Sequence, residues 1–99
     1  MKLRALWTHE AGDGFMEIMD HLDDTWGTLV ANAFASDVAQ TVALLEVFPN
    51  AGVLEVPDLG IRSIPVARQV RVFYRFDHET LFVLEFIDTR SSTYQRLKG

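Results

Sequence analysis

The side chains of this 99-residue chain best suited to chemistry are its arginines. Arg62, Arg68, Arg71, Arg75, Arg90 and Arg96 all fall in the C-terminal half. A guanidinium stays charged and presents its donors as a planar fork, so arginines without a neighbouring general base hold phosphates or carboxylates. The other reactive groups do not gather. His9, His21 and His78 sit on a helix start, a helix and a hairpin loop, without the spacing of a metal pair, and read as surface residues. Ser36, Ser63, Ser91 and Ser92 have no nearby histidine and no nucleophile-elbow context. Asp20, Asp23 and Asp24 read as a solvated helix face. There is no glycine-rich phosphate loop. No metal or cofactor is expected.

The arginines must be positioned by strands. Gln69–Phe76 and Thr80–Asp88 are rich in β-branched and aromatic residues and flank the polar triplet Asp77-His78-Glu79, the pattern of an antiparallel hairpin. Ile61–Val66 precedes them, giving a three-strand meander. Alternation puts Val70, Val72, Tyr74 and Phe76 on one face and Arg71, Phe73 and Arg75 on the other. A three-residue loop pairs Phe76 with Thr80, Tyr74 with Phe82, Val72 with Leu84, Val70 with Phe86 and Arg71 with Glu85. This register keeps Glu85 out of the core. The second face then carries Phe73, Leu81, Val83 and Ile87 beside Arg71 and Arg75, too apolar for water alone, and is expected to receive a partner. For Arg71 and Arg75, ion pairing within the sheet and partner binding both remain open.

Upstream, Lys2–Thr8 alternates as a short strand, and Thr8 is placed to cap a helix. Phe15, Ile18, Met19, Leu22 and Trp26 follow helical spacing. A break is expected near Asp24-Thr25. A second helix then runs from Leu29 to Phe48 and ends at Pro49-Asn50-Ala51-Gly52. Asn50–Gly60 reads as a connecting loop. Ser91–Thr93 leads to a tail or short final helix containing Tyr94. The expected fold is α+β: an N-terminal strand, an α-helical hairpin, then a three-strand antiparallel meander, with the helices packed on one face of the sheet. The expected core is Trp7, Phe15, Ile18, Leu22, Phe34, Val38, Leu45, Val72, Tyr74, Leu84 and Phe86. Residues 1–99 read as a single domain.

Composition narrows the function. Apolar residues make up 48% and charged residues 23%, as in ordinary soluble proteins. No uninterrupted apolar run is long enough to span a bilayer. The absence of cysteine points to a reducing cytoplasm. The net charge of −5 is uneven. Up to Pro57, two basic residues face nine acidic ones; from Asp58 onward, seven basic residues face five acidic ones. That balance disfavours direct nucleic-acid binding, for which a basic domain is the usual sign.

The element order and several motifs together resemble the ParE/RelE superfamily of bacterial type II toxins. The matching residues are Trp7-Thr8, Phe48-Pro49-Asn50-Ala51-Gly52, Ile61-Arg62-Ser63-Ile64-Pro65-Val66, Val70-Arg71-Val72-Phe73-Tyr74-Arg75 and Ile87-Asp88-Thr89-Arg90. The ParE-like branch is the closer. The resemblance implies a cognate antitoxin, whose C-terminal segment wraps across the toxin, and DNA gyrase as the target. It also implies a cytoplasmic protein, as a homodimer or a toxin–antitoxin hetero-oligomer, rather than an enzyme. Arg71, Phe73, Arg75, Val83, Ile87 and Arg90 are the expected partner-binding residues. Two alternatives stand beside this: a RelE-like ribosome-dependent mRNA endonuclease, or an inactive antitoxin-binding homologue. For the nuclease, the resemblance would assign catalysis to Arg71, Arg90 and Tyr94. The paired lysines of the RelE branch have no counterpart here; Arg62 and Ser63 stand in that region.

Overall fold

A computed structural model describes residues 2–90 and Tyr94. Strand β1 (Arg4–Trp7) leads into helices α1 (His9–Trp26) and α2 (Thr28–Val47). Strands β2 (Val53–Val56), β3 (Ile61–Ala67), β4 (Val70–Phe76) and β5 (Thr80–Asp88) follow. The five strands form one sheet in the order β1-β5-β4-β3-β2, with the helical hairpin on one face. The fold is the expected α+β arrangement, and the C-terminal meander is antiparallel throughout. Two strands extend it. β1 joins β5 in parallel at one edge, and β2 pairs with β3 at the other. Thus Asn50–Gly60, expected as a loop, contains a four-residue strand between two 3₁₀ turns, Pro49–Ala51 and Pro57–Leu59.

Local chemistry explains where the helices begin and end. The Thr8 hydroxyl accepts from the Ala11 N–H at 3.0 Å and caps α1. The break between the helices falls at Gly27 rather than Asp24-Thr25. Its φ of +96° is costly for any residue with a Cβ. The Gly27 N–H donates to the carbonyls of Asp23 and Leu22, closing α1 before the chain reverses. By length and composition alone α2 is apolar enough to cross a bilayer, with a mean hydropathy of 1.3. Here Ala31, Phe34, Val38, Val42 and Leu45 recur at helical spacing and pack into the core beneath it.

The β4–β5 register differs from the expected one. Val70 pairs with Asp88, Arg71 with Ile87, Val72 with Phe86 and Phe73 with Glu85. A bulge then leaves Leu84 over, and Tyr74 pairs with Val83, Arg75 with Phe82 and Phe76 with Leu81. Two interactions set this pattern. The Asp77 carboxylate accepts from the N–H groups of Glu79 (2.9 Å) and Thr80 (2.8 Å), which tightens the turn. Thr8 fixes the bulge: its N–H donates to the Val83 carbonyl (3.0 Å) and its hydroxyl to the Leu84 carbonyl (2.6 Å). Glu85 stays exposed, as expected, but through a bulge rather than through uniform alternation.

The core is corrected accordingly. Leu81 and Val83 are fully buried beneath the helices, whereas Leu84 is only half-buried. Phe34, Val38, Leu45, Val72, Tyr74 and Phe86 are buried as expected, and Phe15, Ile18 and Leu22 pack against them half-buried. Trp7 remains 38% exposed, although its ring lies 5.6 Å from Phe15 and 5.1 Å from Phe86.

Urea denaturation will distinguish the two registers: Leu81→Ala should cost about 2–5 kcal/mol, and Leu84→Ala less than about 1.5 kcal/mol. An equal or larger loss at Leu84 would contradict the bulged pairing. A second test concerns Gly52, where an added Cβ would lie 2.5 Å from the Tyr74 hydroxyl and 2.7 Å from the Ser63 carbonyl oxygen. Gly52→Ala should therefore destabilise the fold by about 1–3 kcal/mol or more, as overpacking does, and thermal melting measures it.

Candidate functional site

Arg71 is the best-anchored of the candidate arginines. It lies on the sheet face away from the helices, opposite Pro65 of β3 and Ile87 of β5. Its Nε donates to the Ser63 hydroxyl at 2.9 Å and its Nη2 to the Ser63 carbonyl at 3.3 Å. That hydroxyl in turn donates to Oε2 of Glu55 at 2.6 Å. A hydroxyl can accept and donate at once, so Ser63, with no exposed surface, links a cation on β4 to a carboxylate on β2. The Arg71 guanidinium is therefore oriented from within the sheet. Its expected partner Glu85 instead faces Phe73.

The rest of that face is not the exposed apolar surface anticipated. Val83 belongs to the opposite side, inside the core, because the bulge reverses the parity of the first half of β5. Phe73 and Ile87 do lie on the expected face, but they are buried, at 4% and 6% exposure. Arg75 is exposed and sits 5.6 Å above the ring of Phe82, a cation–π contact that leaves its donors free to face water. Leu6, opposite Phe82 on β1, is also exposed.

Arg90 lies elsewhere. Its backbone N–H and its Nε donate to Oδ1 of Asp88 (2.8 and 3.2 Å), and its Nη2 to Oδ2 (3.0 Å). This fork holds the Asp88 carboxyl below its ordinary range and raises the arginine in return. Asp88 stands opposite Val70, on the helix side of the sheet. Both residues line a cleft of about 700 Å³ between the second half of α1 and the β3–β4 turn. Ile18, Leu22, Phe34 and Val70 supply its apolar surfaces; Glu17, Arg68, Asp88 and Arg90 supply its charges. Trp26, 69% exposed, stands at the end of α1 on the same cleft.

Arg71 and Arg90 thus occupy opposite sides of the sheet. Tyr94 is half-buried, while Arg96 lies outside the described residues. Arg68 and the apolar residues of the cleft were absent from the expected site residues. Their signal in the sequence was an apolar stripe on α1 that runs on to Trp26, past the part of the helix that meets the sheet.

These features can be set beside known proteins. The family model described as the ParE toxin of type II toxin-antitoxin system, parDE, matches residues 5–92. Among solved structures, the chain is similar to one from the chromosomal ParDE toxin–antitoxin system of P. aeruginosa. The two share 23% identity and superpose with a TM-score of 0.73, over 88% of this chain and 96% of that one. No curated protein matches this chain. Since the family match takes in every strand and helix from the second residue of β1 to the end of β5, the chain belongs to the ParE toxins of type II toxin–antitoxin systems.

Proposed function

We propose that this toxin acts in the cytoplasm by inhibiting DNA gyrase and is neutralised by an antitoxin segment lying in the cleft between α1 and the β3–β4 turn. The observation that carries the first part is the separation of Arg71 from Arg90. Ribosome-dependent cleavage needs groups that activate the 2′-hydroxyl, stabilise the developing charge and protonate the leaving oxygen, all around one phosphate. Here one arginine is bound to Ser63 on the open face, and the other is forked onto Asp88 on the helix side. The acidic balance of the chain adds repulsion near ribosomal RNA within a Debye length of about 8–10 Å. A protein target imposes neither requirement.

The cleft suits a peptide segment. Its apolar surfaces accept one or two large side chains, and Arg68 lines it to meet a carboxylate, Arg90 being already held by Asp88. Phe73, Val83 and Ile87 are not accessible for this purpose in the folded chain.

The target is decided by paired assays on purified toxin. Gyrase supercoiling should fall while mRNA in the ribosomal A site stays intact. Site-specific mRNA cuts that disappear in Arg71→Ala would establish the endonuclease instead, and inactivity in both assays would favour an antitoxin-binding homologue without toxicity. The antitoxin site is tested with exposed cleft residues, whose replacement spares the fold. Trp26→Ala should weaken binding of the antitoxin encoded beside the toxin by about 10- to 100-fold in calorimetry, the range of an aromatic anchor. Arg68→Glu should lower the association rate and reduce its salt dependence. Unchanged binding in both variants would remove the cleft from the interface.

A further inference from the structure

The sheet divides the charge of this chain. α1 holds six carboxylates and α2 two, and neither helix carries a lysine or arginine. The face turned away from them is cationic at one corner, beside the β4–β5 turn. There Arg4 and Leu6 stand opposite Thr80 and Phe82, while Ala5 and Trp7 turn inward with Leu81 and Val83. Arg75 lies on the next strand, opposite Phe82, with its guanidinium over that ring. Arg4, Leu6 and Arg75 are exposed, and among the described residues no carboxylate pairs with either arginine. A second cleft, of about 380 Å³, opens beside them, lined by Lys2, Arg4, His78, Glu79 and Thr80. Two permanent cations face one carboxylate there, and Glu79 is already turned to His78 at 3.3 Å. Lys2 has only a 3.7 Å contact with Glu46, an exposed pair that holds it weakly. In the turn, the Asp77 carboxylate is occupied by the N–H groups of Glu79 and Thr80. Glu85, opposite Phe73, bounds the corner on the same face.

We infer that this corner, with Arg4 and Arg75 around the Leu6–Phe82 pair, is the surface by which the toxin holds its target, and that it takes an acidic protein segment with an apolar anchor. The inference rests on the target's being a protein. Charge selects the occupant. An acidic segment is repelled by the carboxylates of both helices and drawn to the two guanidiniums that no carboxylate neutralises, so the field of the whole molecule turns it to this side. Each arginine offers a fork to a carboxylate, and Leu6, 55% exposed, supplies apolar contact between them. A nucleic acid fits less well. Arg75 already covers the Phe82 ring on which a base would stack. The net charge of −5 also repels a continuous run of phosphates, whereas a short acidic segment need meet only two guanidiniums. The corner lies across the sheet from the cleft beside α1, and at the other end of β4.

Purified gyrase is the probe. Biolayer interferometry on immobilised gyrase without DNA gives the dissociation constant of each toxin variant, and circular dichroism reports its fold. Arg4→Glu and Arg75→Glu should each weaken binding about 10- to 100-fold, and Leu6→Ala about ten-fold, with unchanged spectra. Raising salt from about 50 to 200 mM should weaken the wild type more than Arg75→Glu, because the variant has lost an attraction that salt screens. Leu29→Glu, which adds a negative charge at a position 86% exposed at the start of α2, should bind like the wild type. A comparable loss in Leu29→Glu would mark a net-charge effect and overturn the inference, as would unchanged binding in all three corner variants. If the arginines matter only when gyrase carries DNA, the occupant is the nucleic acid and the inference falls. The two levels separate cleanly. Wild-type toxin that neither binds nor inhibits gyrase removes the gyrase reading, and this surface with it. Variants as potent as an active wild type leave that reading standing and remove the surface alone.

Discussion

The phenol of Tyr74 ties the helical half of the molecule to the sheet. Its hydroxyl donates to the Pro49 carbonyl at 2.7 Å and accepts from the Gly52 N–H at 2.9 Å. Both bonds close on the turn that carries the chain from α2 to β2. Burial pushes the phenol's pKa upward, against the opposing effects of the Gly52 N–H and Arg62, so it remains a protonated donor. Arg62 completes the clasp by donating from Nη1 to the Gly52 carbonyl at 2.9 Å. The clasp has no room for a side chain at Gly52, whose φ of −79° any residue can adopt; the constraint is space, not backbone conformation. Because the turn is fixed, β2 reaches the edge beside β3, and Glu55 meets Ser63. The orientation of Arg71 is thus the far end of a chain of contacts that begins at Tyr74.

Thr8 plays the corresponding part at the other end of the sheet. One residue caps α1, anchors β1 to β5 and captures the carbonyl exposed by the Leu84 bulge. Without the bulge, a strand that buries Leu81 and Val83 would also bury Glu85 and turn Phe86 out to solvent. With it, the same strand places all three apolar residues in the core and leaves the charge outside. A β-bulge therefore lets β5 change its inward parity midway.

That change marks the limit of what alternation reveals in the sequence. The helices, the meander and their order follow from periodicity, because each has enough turns or alternations to repeat its pattern. β2 was hidden because four residues between a glycine and a proline repeat nothing. The bulge was hidden for a different reason: Phe82, Leu84 and Phe86 form the stronger apolar set, yet a hydroxyl far away in sequence decides which set turns inward. The break between the helices lay two residues past the expected position, at the glycine whose positive φ the reversal requires. Of the candidate site residues, Arg71 and Arg90 were identifiable by type, but their separation to opposite faces was not. Arg71 alternates within β4, whereas Arg90 lies beyond the end of β5 and takes its direction from Asp88.

The two-sided placement constrains what an antitoxin segment in the cleft could reach. An antitoxin segment in the helix-side cleft would cover Arg68 and Arg90 yet leave the Arg75–Phe82 region of the open face accessible. β3 runs from the Ser63 network on one side to Ala67 at the cleft, and β4 carries Val70 into the cleft and Arg71 onto the other face in consecutive residues. One strand thus has the bonds from Arg71 to Ser63 on one side and the cleft on the other.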